Sequence, residues 1–149
     1  MRRTPVLAAA LAAGLAIGLP AEAAPPRVSV TGEVIDTFCY LSGVMGGPEA
    51  VVGTAHHKCA LWCAAGGIPV GVLGDDGTVY MVLKVGEDTT SVTPPTLFLL
   101  QSHRVTVEGD YVERDGIKYL MISQVVDDEG IVNLSHEDFG VVPPFAVPK

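Results

Sequence analysis

Apolar and polar residues alternate from Arg27 to Asp36, with Val28, Val30, Gly32 and Val34 on one face, the period of a strand that buries one side. Gly32 has no side chain to pack there, which predicts a bend or bulge. After Asp36 the alternation stops, and Gly43, Gly46, Gly47 and Pro48 read as a loop. A helix is predicted from about Thr54 to Ala65. Thr54 serves as its N-cap, Ala, Leu and Lys fill the interior, and Gly66-Gly67 stop it before Pro69. Ile68–Leu73 and Thr78–Val85 then flank Gly74-Asp75-Asp76-Gly77, a hairpin signal, and Val79, Met81, Leu83 and Val85 alternate cleanly. Thr93-Pro94-Pro95 resembles an N-cap with proline in the first turn of a short helix that buries Leu97, Phe98 and Leu100 and ends near Ser102. Val105–Arg114 and Ile117–Val126 form a second hairpin around Asp115-Gly116. Tyr111-Val112 breaks its phase and predicts a bulge after Gly109.

The order is strand, inserted helix, strand, strand, short helix, strand, strand. It predicts a mainly β fold, a five-stranded OB-like barrel with a helix inserted after the first strand. An open five-stranded sheet with packed helices is the competing arrangement.

The chain ends change what this domain is expected to be. Arg2 and Arg3, the apolar run Val6–Leu19 and Ala21-Glu22-Ala23 have the three parts of an export signal over residues 1–23. That run is short for a bilayer span, which takes about 20 residues. The domain is expected over residues 24–126, followed by an acidic, proline-bearing surface tail over 127–149. Periplasmic or secreted localisation follows, with no membrane insertion once the signal is cleaved. The full chain carries 9 basic and 17 acidic residues for a net charge of −8. Without Arg2, Arg3 and Glu22 there remain 7 basic and 16 acidic residues, net −9. Such a chain repels nucleic acid and anionic membranes, whose binding rests on Lys and Arg meeting phosphates.

The candidate chemistry is concentrated in one stretch, from Asp36 to Gly71, which holds all three cysteines, two of the four histidines and the single tryptophan. On a helix His56, Cys59 and Cys63 stand at i, i+3 and i+7, within about 60° of one another on one face. His57 points away from that stripe. Cys39 ends the first strand and can return to the helix across the glycine loop. Three thiolates and an imidazole would make a four-ligand site of the kind zinc takes. Thiolate also suits Cu(I), which the Met45 thioether could support. The alternative is a disulfide from Cys39 to Cys59 or Cys63, closing a loop of about 20 residues for about 3 kcal/mol and leaving one thiol over. A helical i, i+4 pair is awkward for a disulfide between Cys59 and Cys63.

Around this stripe lie Gly32-Glu33-Val34-Ile35-Asp36-Thr37-Phe38-Cys39-Tyr40, then His56-His57-Lys58-Cys59-Ala60-Leu61-Trp62-Cys63, then Gly67-Ile68-Pro69-Val70-Gly71. This resembles a group of small exported bacterial proteins with a G-E-V-x-D-x-x-C-Y start, then H-x-x-C-A-x-x-C, then G-x-P-V-G. The resemblance covers about the first third of the mature chain. It implies a periplasmic OB-like domain and picks out His56 over His57; it implies no activity.

Other residues read more plainly. Asp36 either orients the histidine or makes an ordinary turn. Trp62 either walls the site or, as is commoner on an amphipathic helix, packs in the core. His103 and His136 sit beside strand ends as surface residues. Asp75-Asp76 and Asp127-Asp128-Glu129 lack the oxygen-ligand spacing of a calcium loop and read as solvated turns. The chain has no phosphate-cradling glycine loop, nucleophile elbow or C-x-x-C-H haem motif, and its C-x-x-x-C differs by one residue from the redox C-x-x-C. The expected function is therefore an exported copper- or zinc-binding protein using Cys39, His56, Cys59 and Cys63, in trafficking or as a structural site. A disulfide-stapled, non-catalytic module for a periplasmic protein or small ligand is the alternative, and a thiol–disulfide redox protein a third. Catalysis is not indicated.

Overall fold

The computed structural model describes residues 23–86 and 95–134. The segment expected as an export signal (apart from Ala23), the N-cap expected at Thr93, His136 and the expected tail beyond Leu134 lie outside the described residues.

Five strands, β1 (Arg27–Asp36), β2 (Val70–Gly74), β3 (Val79–Val85), β4 (Arg104–Arg114) and β5 (Ile117–Asp128), close into a barrel in the order β1-β2-β3-β5-β4. All pairs are antiparallel except β3 with β5. This is the expected OB-like barrel. Closure leaves no strand edge unpaired, which an open sheet would not achieve. Alternating apolar side chains face inward: Val30 and Val34 from β1, Val72, Val82, Val105, Val107, Leu120 and Ile122 from the others. Leu97 and Leu100 close the core from α3 (Pro95–Leu99) and the turn after it.

The bend expected at Gly32 is the point where β1 changes partner. Its first part pairs with β4 and its second with β2, and Gly32 belongs to both ladders. A Cβ there would sit 2.1 Å from the Leu73 carbonyl oxygen. The bulge expected after Gly109 lies just before it, where the β4–β5 register shifts between Glu108 and Gly109, with another shift between Thr106 and Val107. Asp115 and Gly116 both take positive φ, 54° and 79°, as a two-residue I′ turn requires.

Two helices fill the β1–β2 connection. Cys39, expected to end the first strand, lies instead in α1 (Thr37–Ser42), because β1 stops at Asp36; the glycine loop follows from Gly43, and a 3-10 turn covers Pro48–Val51. The longer helix α2 spans Gly53–Ala65, one residue earlier than expected. Its start differs in kind. Thr54 is not the N-cap, and its buried hydroxyl has no hydrogen-bond partner. Instead a carboxylate oxygen of Glu33 on β1 accepts from Gly53 N at 2.5 Å, and the Asn133 carbonyl accepts from Thr54 N at 2.9 Å. β5 runs to Asp128, two residues past the expected end, and the chain after it crosses to the start of α2. The helix is thus pinned at one end to the barrel wall, and its buried Ala60 and Ala64 let it lie close against the barrel.

Candidate metal centre

Asp36 is the last residue of β1 and the N-cap of α1. Its Oδ1 accepts from Phe38 N at 2.9 Å and Cys39 N at 3.2 Å, satisfying two donors that a helix start leaves open. That cap turns the chain so that Cys39, two residues into α1, points back under the helix and is buried. Gly43 ends α1 in the left-handed region at φ 64°, with its N–H on the Cys39 carbonyl. The Thr37 hydroxyl ties the first turn to the Pro69 carbonyl at 2.6 Å. Cys39 is therefore held from both sides.

α2 supplies the rest. Cys59 and Cys63, one turn apart, face Cys39, and the three sulfurs lie within 4.8 Å of one another. All three are free thiols, so the cross-link considered from the sequence is not formed. Cys39 is buried, whereas Cys59 and Cys63 are partly exposed. Three sulfurs bound to one zinc ion at 2.3 Å would stand about 3.8 Å apart, so the set is near the spacing of a shared ion.

His56 is buried, at 2% exposure, one turn before Cys59. It comes together with Asp36 and Cys39, whose ligand atoms again lie within 4.8 Å of one another. Its Nε2 is 3.5 Å from Asp36 Oδ2. Cys39 thus belongs to two overlapping sets, one of three sulfurs and one of oxygen, sulfur and nitrogen. Asp36 performs both roles weighed for it, capping a turn and contacting the histidine. Its place as a potential ligand was missed from the sequence. The signal was there: a strand-end aspartate two residues before Phe38 and three before Cys39 is an N-cap pattern.

The electrostatics follow from this crowding. Burial pushes Asp36 up, but hydrogen bonds from the Cys63 thiol, from the Cys39 backbone and thiol and from His56 together hold it below the usual carboxylate range. The same contacts work against the thiols. Burial, then the Asp36 carboxylate, raise Cys39 to about 11. Cys63 is pushed up further, first by its hydrogen bond to Asp36 and then by burial. Protonated thiols beside an anion are poor nucleophiles. This weighs against the redox reading and against a Cys-His-Asp nucleophile built from Cys39, His56 and Asp36. A cation at the sulfurs reverses that logic, because metal binding deprotonates the thiols it coordinates.

The remaining candidates fall elsewhere. His57 points away from the sulfurs, as expected. Its Nδ1 donates to the Gln101 carbonyl at 2.8 Å, and its ring stacks on His103 with centroids 6.4 Å apart. His103, expected as a plain surface residue, also meets Asp128 at 2.9 Å. Trp62 is not core: it is 75% exposed on the outer side of α2. Met45 is exposed on the loop. Asp75 is bound by Arg104 and Asp76 by Thr78, as ordinary turns. A recess of about 480 Å³ outside the barrel, walled by Val79, Met81, Ile117 and Tyr119, reaches this region only through Leu41 and contains none of the ligand candidates. No helix among the described residues is long and apolar enough to cross a membrane. Comparisons with protein-family models, with curated proteins and with solved structures find no match to this chain.

Proposed function

We propose that this is an exported metal-binding protein that holds a thiophilic ion, Cu(I) or Zn(II), on Cys39, Cys59 and Cys63. The convergence of three unbonded sulfurs from two separate helices within 4.8 Å carries the reading. A packed core has no use for three polarisable groups gathered beside a buried carboxylate, whereas soft thiolates select these ions. His56 shares a set with Cys39 and Asp36 but not with Cys59 and Cys63. The half-exposure of Cys59 and Cys63 suits an ion that is delivered or passed on, because an incoming ligand can reach those two sulfurs from solvent.

The test is metal analysis of the full chain purified anaerobically without chelator. Stoichiometric copper or zinc is expected, lost when Cys39, Cys59 or Cys63 is replaced by serine. A metal-free protein with an intact disulfide would reject the reading in favour of the stapled binding module. That module's stability would respond to reductants and ignore chelators.

A further inference from the structure

We propose that Asp36, Cys39 and His56 hold a second metal ion, joined through a bridging Cys39 thiolate to the ion on the three sulfurs. This rests on the reading above and extends it from a single ion to a pair.

The first argument is spacing. His56 Nε2 and Asp36 Oδ2 stand 3.5 Å apart, beyond the 2.7–3.2 Å range of a good N–H···O bond. Two ligands with bonds of about 2.0 Å to one tetrahedral ion stand about 3.3 Å apart. The gap is long for a direct contact and suited to a shared ion. Oδ1 of the same carboxylate is occupied by the α1 cap, which aims Oδ2 at the histidine and leaves it free to ligate.

The second argument is charge. Asp36 is 2% exposed, and His56 is its only ion-pair partner; no Lys or Arg reaches it among the described residues. Sulfurs that hold an ion do so as thiolates, so a loaded three-sulfur set places further negative charge beside this buried carboxylate, with which Cys39 shares its second set. Three thiolates and one carboxylate then carry four negative charges, of which a single divalent ion balances two. A second cation between Asp36 and His56 removes the remainder. Thiolate sulfur has lone pairs enough to bridge, and Cys39 is the residue that both sets share.

Titration of the reduced, metal-free full chain with Zn(II) or Co(II) under anaerobic conditions tests this. Two equivalents per chain are expected after desalting. Asp36→Asn and His56→Ala are each expected to bind one equivalent while the thiolate-to-Co(II) absorption of the sulfur set persists. Asp36→Asn keeps the oxygen that caps α1 and so separates ligation from folding, which circular dichroism checks. X-ray absorption of the loaded protein is expected to show a metal neighbour at roughly 3.5–4 Å, as in two-metal sites. Saturation of the wild-type chain at one equivalent overturns the proposal and leaves Asp36–His56 as an ion pair only, as does retention of two equivalents by both folded variants. Binding of no ion at all would instead reject the three-sulfur reading itself. Should either variant fail to fold, the wild-type stoichiometry decides.

Discussion

The Cys39 thiol lies beneath α1 against a carboxylate, and burial with that anion raises it to about 11. Cys63 is raised by the same carboxylate. At neutral pH both sulfurs are therefore protonated in the metal-free protein, and loading must expel those protons. Zinc addition at pH 7 in weak buffer is expected to release at least two protons per chain, read by a pH indicator. Alkylation of Cys39 in the metal-free protein is expected to be slower than that of a free thiol by an order of magnitude or more. Rapid alkylation of Cys39 would mean that its environment is more open than the structure shows. The alignment of His56, Cys59 and Cys63 on one helical face was legible because a helix repeats every 3.6 residues. The contact of Asp36 with the histidine was weighed from the sequence, but its place among potential ligands with Cys39 and His56 was not, because it depends on how a six-residue helix turns the chain after β1.

At the scale of elements, the start of α2 depends on residues distant in sequence. Glu33 is half-buried, and burial, opposed by hydrogen bonds from Gly53 and Asn133, sets its folded pKa above the usual value. A carboxyl raised on folding takes up a proton as the chain folds. Its favourable contribution is complete below the unfolded value near 4.3 and disappears as pH rises through the folded value. Glu33→Gln keeps an acceptor for Gly53 N, so wild type is expected to gain stability relative to this variant as pH falls from 7 toward 4, measured by urea midpoints. Glu33→Ala removes the cap and is expected to cost about 1 kcal/mol. Gly32→Ala drives a Cβ into the Leu73 carbonyl and is expected to cost at least 2 kcal/mol by the same measurement, through the strain of overpacking. The strands were legible because period-2 alternation and the Asp115-Gly116 turn are local signals. The true cap of α2 was not, since Glu33 lies 20 residues before Gly53 and Asn133 far after it. Thr54 looked like a cap because local pattern alone cannot reveal a donor already satisfied from across the fold.

For the molecule as a whole, Arg104 acts as a clasp over one rim of the barrel. Its guanidinium makes a two-pronged contact with Asp75 at 2.5 and 2.6 Å and a third with Glu129 at 3.1 Å. It thereby ties the β2–β3 turn to the start of β4 and the end of β5. Arg104→Ala is expected to lower the thermal midpoint, by less in 1 M salt than in 0.1 M, because these charges are solvent-exposed and screened. The charge sum of an acidic chain was legible from composition, but the pairing of Arg104 with those carboxylates was not, because it exists only after barrel closure brings three segments together. Trp62, misjudged as core, has a use at this scale. It is the sole tryptophan, stands 75% open to water and adjoins Cys63. The molecule therefore carries its own optical reporter. Emission excited at the indole band comes from a single fluorophore on the helix that carries Cys59 and Cys63, so its response to added ion can be followed in solution without any attached label.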